Sequence, residues 1–193
     1  DSAPTPPIRI VSSTARCNAE PIRAGMNPYR DLRTGRLTMA PVAWRDLPDL
    51  QALKGDPRVY AIMLGGVRSP QQAAEDLAED IMFWGRHGVG MWAVRLAGTD
   101  AFLGTVGLHE RPDGRGIALR FAFVVAAQGR GYASEAAGAA LRFAHERAGL
   151  ERVVALARES NIGSRQVLGA IGMVERESFL RDGERVVVYE SRQ

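Results

Sequence analysis

Six consecutive residues, Gln128-Gly129-Arg130-Gly131-Tyr132-Ala133, place two glycines one residue apart directly ahead of a run of helix formers. A helix start leaves several backbone N–H groups without helical partners, and glycine lets a ligand approach the chain closely, so this segment is suited to an anion such as a pyrophosphate. The helix dipole adds about 0.3–1 kcal/mol per favourable charge. The same glycines also fit a tight strand-to-helix connection in which they serve backbone geometry alone. A P-loop needs Gly-Lys-Ser/Thr after its glycines, and none follows here. A dinucleotide fingerprint needs a third glycine where Ser134 stands, an acid at the end of the next strand, where Glu151 comes too early, and a longer domain than the remaining residues supply.

What remains is coenzyme A, its pyrophosphate on the helix start and its pantetheine arm along an exposed strand edge. Other chemistry is excluded by type and spacing. His87, His109 and His145 share no i, i+4 spacing and have no cysteine company, so no metal site is expected. Cys17, the single cysteine, lies outside any patterned element, which argues for direct transfer over an acyl-cysteine and, with no internal disulfide possible, for a reducing cytoplasm.

These residues need a scaffold, and hydrophobic periodicity supplies one. Residues 1–30 lack a sustained period and carry five prolines, so they are expected to form an arm, disordered or loosely docked, ahead of a single domain over 31–193. Leu37 to Val42 reads as a strand and Trp44 to Leu53 as a helix closed by Gly55-Asp56-Pro57. Ser69-Pro70 opens a helix whose apolar stripe runs from Ala73 to Met82. Met91–Leu96, Phe102–Leu108 and Ile117–Val125 read as an antiparallel meander. Gly131 to Ala148 is a strongly amphipathic helix, and with Val153–Ala157 it completes a βαβ unit whose functional edge lies at the strands' carboxyl ends. A shorter helix over Ile162–Ile171 precedes a hairpin turning at Asp182-Gly183. Trp44, Trp84, Trp92, Phe83 and Tyr60 are read first as core, with a minority lining a pocket.

Composition bounds the function. The chain has 193 residues, 46% hydrophobic and 24% charged, enough for one substantial core. Its 25 basic residues, all arginine but Lys54, nearly balance 22 acidic ones, so a formal charge of +3 gives no argument for nucleic acid despite a pI near 9.5. No apolar run reaches the roughly 18 residues that would span a bilayer, so no membrane partner is expected.

Leu32-Arg33-Thr34-Gly35-Arg36-Leu37, Gln128 to Ala136, and Asn161-Ile162-Gly163-Ser164 followed by Leu168 and Gly172-Met173 occur in an order and spacing that resembles the GNAT superfamily of acetyl-CoA-dependent N-acetyltransferases, in its RimJ/RimL-like branch. The resemblance covers roughly residues 32–191. It implies an α/β fold with a mixed, twisted, largely antiparallel sheet, a parallel splayed strand pair and helices on both faces. It implies acetyl transfer from acetyl-CoA, without a metal, to a primary amine, either a small molecule or a protein N-terminus, by a cytoplasmic monomer or homodimer.

Carried over by position, Gln128, Gly129, Arg130, Gly131, Tyr132 and Ala133 bind the pyrophosphate, and Val124 and Val125 offer main-chain groups to the pantetheine arm and thioester. Asn161 approaches that arm, and Ser164 protonates the departing thiolate. Read from local chemistry instead, Asn161 is a helix N-cap and Ser164 a hydroxyl bonded within the first turn. The chain departs from the family at Ala118, where a glutamate is common, and at Leu168, where many members carry a tyrosine acid. His109 and Glu110 are the nearest substitutes for a base, with Glu135 a third. Residues 60–87 are expected to shape the acceptor side. A coenzyme-A-binding sensor or scaffold without turnover is the alternative reading.

Overall fold

The computed structural model describes residues 29–193; the expectations for the arm up to residue 28, including Cys17, lie outside the described residues. Strands β1 (Leu32–Arg33) and β2 (Leu37–Pro41) lead into helices α1 (Leu47–Gly55), α2 (Pro57–Tyr60) and α3 (Pro70–His87). The meander β3 (Met91–Leu96), β4 (Phe102–Glu110) and β5 (Ile117–Phe123) follows, then α4 (Tyr132–Arg142), β6 (Arg152–Arg158), α5 (Ile162–Ala170) and the hairpin of β7 (Val174–Arg181) and β8 (Glu184–Arg192). One eight-stranded sheet runs in the order β1-β2-β3-β4-β5-β6-β8-β7, antiparallel throughout except for β5 beside β6.

Local chemistry sets most element ends. Ser69 Oγ accepts from the Gln72 amide at 3.2 Å while Gln72 Oε1 accepts from the Ser69 amide at 2.9 Å, and Pro70 fills the first helical position, so α3 starts with a capping box. Asp182 and Gly183 both take positive φ, 53° and 78°, which matches the right-handed twist of the closing hairpin.

Strand alternation divides the core between the two sheet faces. Met91 and Ala93 pack with Leu50 and Leu77 from α1 and α3, whereas Trp92 and Val94 pack in the larger cluster with Ala136, Ala140 and Phe143. Neighbouring residues of a strand point to opposite faces, so helices cover both sides of the sheet, as the resemblance implies. Trp84 and Trp92 are buried, and their indole N–H groups donate to the Met91 and Arg30 carbonyls at 2.7 and 2.6 Å.

Three sequence expectations are corrected. Trp44 is not core but 56% exposed, because a 3₁₀ turn over Trp44–Asp46 precedes α1 and turns the indole out. The third meander strand stops at Phe123; Val125–Ala127 coil into a 3₁₀ turn closed by the Ala127 amide on the Val124 carbonyl at 2.9 Å. The long helix keeps α geometry only to Arg142 and continues as a π-helical turn over Phe143–Arg147.

Glu190, buried in β8, is held by Arg192 and Arg152, whose hydrogen bonds lower its pKa to about 2. A carboxyl depressed below the ordinary glutamate value adds stability that is present above that value and lost as pH falls toward 2. The Tm difference between the wild type and Glu190→Gln is therefore expected to stay constant from pH 8 to about pH 5 and to shrink below it. A difference that is flat down to pH 2.5 in thermal melts would rule out this ionic contribution.

Candidate active site

The two parallel strands are in register at a single pair, Ala118 with Val154. Beyond it, Leu119–Phe123 of β5 has no strand on its β6 side, while β6 stays paired to β8 as far as Arg158. The sheet therefore opens into a V toward the carboxyl ends, and unpaired main-chain groups line its β5 edge. A cavity of about 850 Å³ fills this opening; Leu119–Ala122 and Ala155–Arg158 form two of its walls.

At the carboxyl end of β5 the chain enters α4 through the glycine segment. Gly129 and Gly131 take φ of 71° and 76°, in the left-handed region where glycine carries no steric cost. Nothing lies within 4 Å of where a Gly129 Cβ would sit, so the loop is open on that side. Gly131 is the N-cap of α4 and has no side chain to cap it, and the first helical bond runs from the Glu135 amide to the Gly131 carbonyl at 3.1 Å. The amides of Gly131, Tyr132, Ala133 and Ser134 are left to bind an anion from outside. Arg36 reaches over from the start of the sheet, donating to the Arg130 carbonyl at 3.0 Å and lying 4.6 Å from the Tyr132 ring centre while its guanidinium is paired with Glu135, and so braces this segment.

Val124 spends its N–H on the Leu103 carbonyl at 2.9 Å and its carbonyl on Ala127, and Gln128 Nε2 donates to the Phe123 carbonyl at 3.1 Å. The Val125 N–H makes no hydrogen bond among the described residues. Residues Gln128 to Gly131 are exposed. This segment and the cavity thus adjoin the same strand end without merging into one pocket.

Glu135 has no spare capacity for proton transfer. Burial works against its charge, but Thr34 Oγ1 at 2.5 Å, the Arg36 amide at 2.9 Å and the Arg36 guanidinium at 2.7 Å hold its carboxyl below the ordinary glutamate value. It ties the first hairpin to α4 and steadies the helix start.

His109, Glu110, Asn161 and Ser164 all line the cavity. His109 on β4 is the cross-strand partner of Ala118 on β5, so its ring stands on the same sheet face beside the small residue at that position. Its ring stacks on Phe83 with centroids 4.4 Å apart, and His87 stacks on Phe83 at 4.2 Å. Glu110 pairs with Ile117 and is exposed at the rim. Asn161 Oδ1 accepts from the Ser164 amide at 3.1 Å, which makes Asn161 the N-cap of α5 and presents Ser164 at the helix start.

Within the 60–87 stretch, the carboxylates Asp76 and Asp80 of α3 were not singled out at the level of sequence. Asp80 is nearly buried, its side chain 13% exposed, and its Oδ1 lies 4.0 Å from His109 Nε2. Burial raises its pKa above the ordinary aspartate value, against the opposing pull of Lys54, His109 and Arg120. Asp76, one turn earlier, pairs with Lys54 at 2.8 Å and Arg68 at 3.4 Å. Burial also pushes the Tyr60 phenol well up, so it stays protonated. A signal for these carboxylates does exist in the sequence: Asp76 and Asp80 stand three residues after Ala73 and Leu77, on the stripe that α3 turns toward the sheet. Among the described residues no group of three or more His, Cys, Asp or Glu is placed to hold a metal ion, and no helix is long and apolar enough to cross a membrane.

Comparison with known proteins agrees with this architecture. An acetyltransferase from Agrobacterium tumefaciens superposes with a TM-score of 0.76 at 29% identity, covering 84% of this chain and 94% of that one. RimL, a ribosomal L7/L12 α-N-protein acetyltransferase solved in complex with coenzyme A, gives 0.71 at 15% identity over 84% and 98%. An acetyltransferase from Salmonella typhimurium that modifies the N-terminal serine of ribosomal protein L7/L12 gives 0.71 at 16% over 83% and 96%. The acetyltransferase (GNAT) domain matches the sequence itself over residues 36–174. With its sheet parted after Ala118 and its glycine segment opening α4, the chain belongs to the GNAT acetyltransferase family.

Proposed function

We propose that the protein transfers an acetyl group from acetyl-CoA to a primary amine, either a peptide or protein N-terminus or a small molecule, by direct attack with both substrates bound. The observation that carries this reading is the sheet opening beyond Ala118 and Val154 beside an uncapped, glycine-led helix start, in a chain of this family. Bound acetyl-CoA supplies an acyl group already activated as a thioester.

The residues divide the remaining work. The amides from Gln128 to Ala133 receive the pyrophosphate, with Arg36 beside them, and the open β5 edge takes the pantetheine arm. Val125, whose N–H is uncommitted, offers it to the pantetheine arm beside the glycine segment, and the open β5 edge over Leu119–Ala122 carries the thioester on toward His109, where a main-chain donor stabilises developing charge. Val124 and Asn161 border the arm. His109 is the base, favoured over Glu110 because it stands opposite Ala118 on the cavity face. Ser164 returns a proton to the departing sulfur.

The ribosomal-protein acetyltransferases among the structural neighbours support an α-amino group as acceptor. Calorimetric titration with acetyl-CoA, with NAD in parallel, tests the coenzyme; micromolar acetyl-CoA binding without NAD binding is expected. Peptides with N-terminal serine or alanine and a panel of small amines then test transfer.

The second reading, coenzyme A binding without turnover, is favoured by Ala118 and Leu168, which line the cavity without acid or base chemistry. Binding with no acetylation across the panel would select it.

A further inference from the structure

Asp80 and His109 face each other in an arrangement that neither side chain completes. Nδ1 of His109 lies 2.9 Å from the Glu110 carbonyl oxygen. A carbonyl only accepts, so Nδ1 carries the proton of the neutral ring and Nε2 keeps its lone pair. That lone pair lies 4.0 Å from Asp80 Oδ1, beyond hydrogen-bond distance, so two acceptors confront each other at the cavity wall. Asp80 makes no hydrogen bond with any of the described residues, whereas Asp76 and Lys54 satisfy one another. A nearly buried carboxylate without a donor is costly, and a donor with at least two N–H groups, seated about 2.8 Å from both acceptors, would relieve it. The Phe83 stack fixes the ring plane, so the geometry is set before anything binds.

We propose that the acceptor amine binds here as an ammonium group, donating one N–H to Asp80 and one to His109 Nε2, and that His109 then takes its proton. This rests on the reading of the cavity as the acceptor side of acetyl transfer. Nε2 gains a proton and the amine nitrogen regains its lone pair. That nitrogen forms the C–N bond as the C–S bond breaks, Ser164 gives its hydroxyl proton to the departing sulfur and takes the second proton of the nitrogen in exchange, and the proton on His109 returns to solvent. The substrate class follows: an unhindered amine with at least two N–H groups in its ammonium form, which excludes quaternary ammonium ions.

The charged and titratable groups turned toward this pair are Lys54 from α1, Tyr60 from α2, Asp76 from α3 and Arg120 from β5, with His87 across Phe83. Lys54 and Arg120 oppose the effect of burial on Asp80 without overcoming it, so its carboxyl stays above the ordinary aspartate value.

The test is an NMR titration of the protein without coenzyme, following the carbon-bound ring protons of His109, with butylammonium as probe and tetramethylammonium as control. Butylammonium is expected to shift these signals, tetramethylammonium is not, and Asp80→Asn is expected to weaken the butylammonium response at least tenfold. His109→Gln should leave acetyl-CoA affinity unchanged while lowering turnover of any acetylated amine about 100-fold at neutral pH. An Asp80→Asn protein that melts like the wild type and binds butylammonium equally well would overturn the site, as would equal binding of both probes. If ammonium binds as described and acetyl-CoA does not, the acetyl-transfer reading falls and the ammonium site stands.

Discussion

Replacing Gly107 with valine is expected to lower the melting temperature by about 10 °C or more. A Cβ at this position of β4 would sit 2.3 Å from the Gly90 carbonyl oxygen and 2.4 Å from the Met91 Cα, both backbone atoms that cannot rotate away. Overpacking against movable side chains typically costs about 1–3 kcal/mol, and a backbone clash within a sheet lies at or beyond the top of that range. For a domain of this size each kcal/mol moves Tm by about 2–4 °C. Gly107 is also two residues before His109, so any part of the clash relieved by shifting β4 is transmitted to the register that sets His109 opposite Ala118. Circular dichroism melts of the purified variant check the prediction. A Tm within 2 °C of wild type would show that the β3–β4 pairing is far softer than the close approach implies.

The second large effect is at Gly131. Valine there is expected to weaken acetyl-CoA binding at least tenfold, while asparagine retains most of it. The cause is conformational and not one of space: the nearest atom to a Cβ is Arg36 Nη2, 3.4 Å away at the end of a flexible side chain. A φ of 76° in a β-branched residue is strained by about 1–2 kcal/mol, and the strain is relieved by rotating the peptide units that aim the first amides of α4 outward. Asparagine tolerates the left-handed conformation and therefore keeps those amides in place. Gly149, with φ of 66° at the far end of the same helical segment, is the control: Gly149→Val carries a similar conformational cost and should leave coenzyme affinity unchanged. Calorimetry on the three variants decides the matter, and equal affinities for Gly131→Val and wild type would remove the amide cradle from the mechanism.

The sequence was informative wherever structure is local. Ser69-Pro70 with Gln72, the meander, the Asp182-Gly183 turn and the glycine segment before α4 were legible because caps, turns and strand alternation depend on residues within four positions of each other. Val124 and Val125 misled for the same reason in reverse. Two β-branched residues continue a strand pattern, and nothing local announces that the Ala127 amide will close a 3₁₀ turn on Val124 once Leu103 has taken the Val124 N–H. Trp44 misled because an aromatic at the head of an apolar stripe looks like core until the preceding turn sets its direction.

The tertiary structure decided how the site is assembled. Glu135 is open to a role as base in the sequence, and only the arrival of Thr34 and Arg36, about a hundred residues away, commits its carboxylate to holding the first hairpin on α4. Asp80 reads on paper as a polar residue of an amphipathic helix. It acquires chemical interest when packing buries it, withholds a hydrogen-bond donor and brings His109 Nε2 to 4.0 Å. The sequence by itself determined most of the elements, their order, the family and the glycine-led helix start, because periodicity and capping are written in neighbouring residues. The register that sets His109 against Ala118, the parting of β5 from β6 and the pairing of Asp80 with His109 were decided only in three dimensions. Strand register, twist and desolvation are properties of the packed whole, and no stretch of sequence contains them.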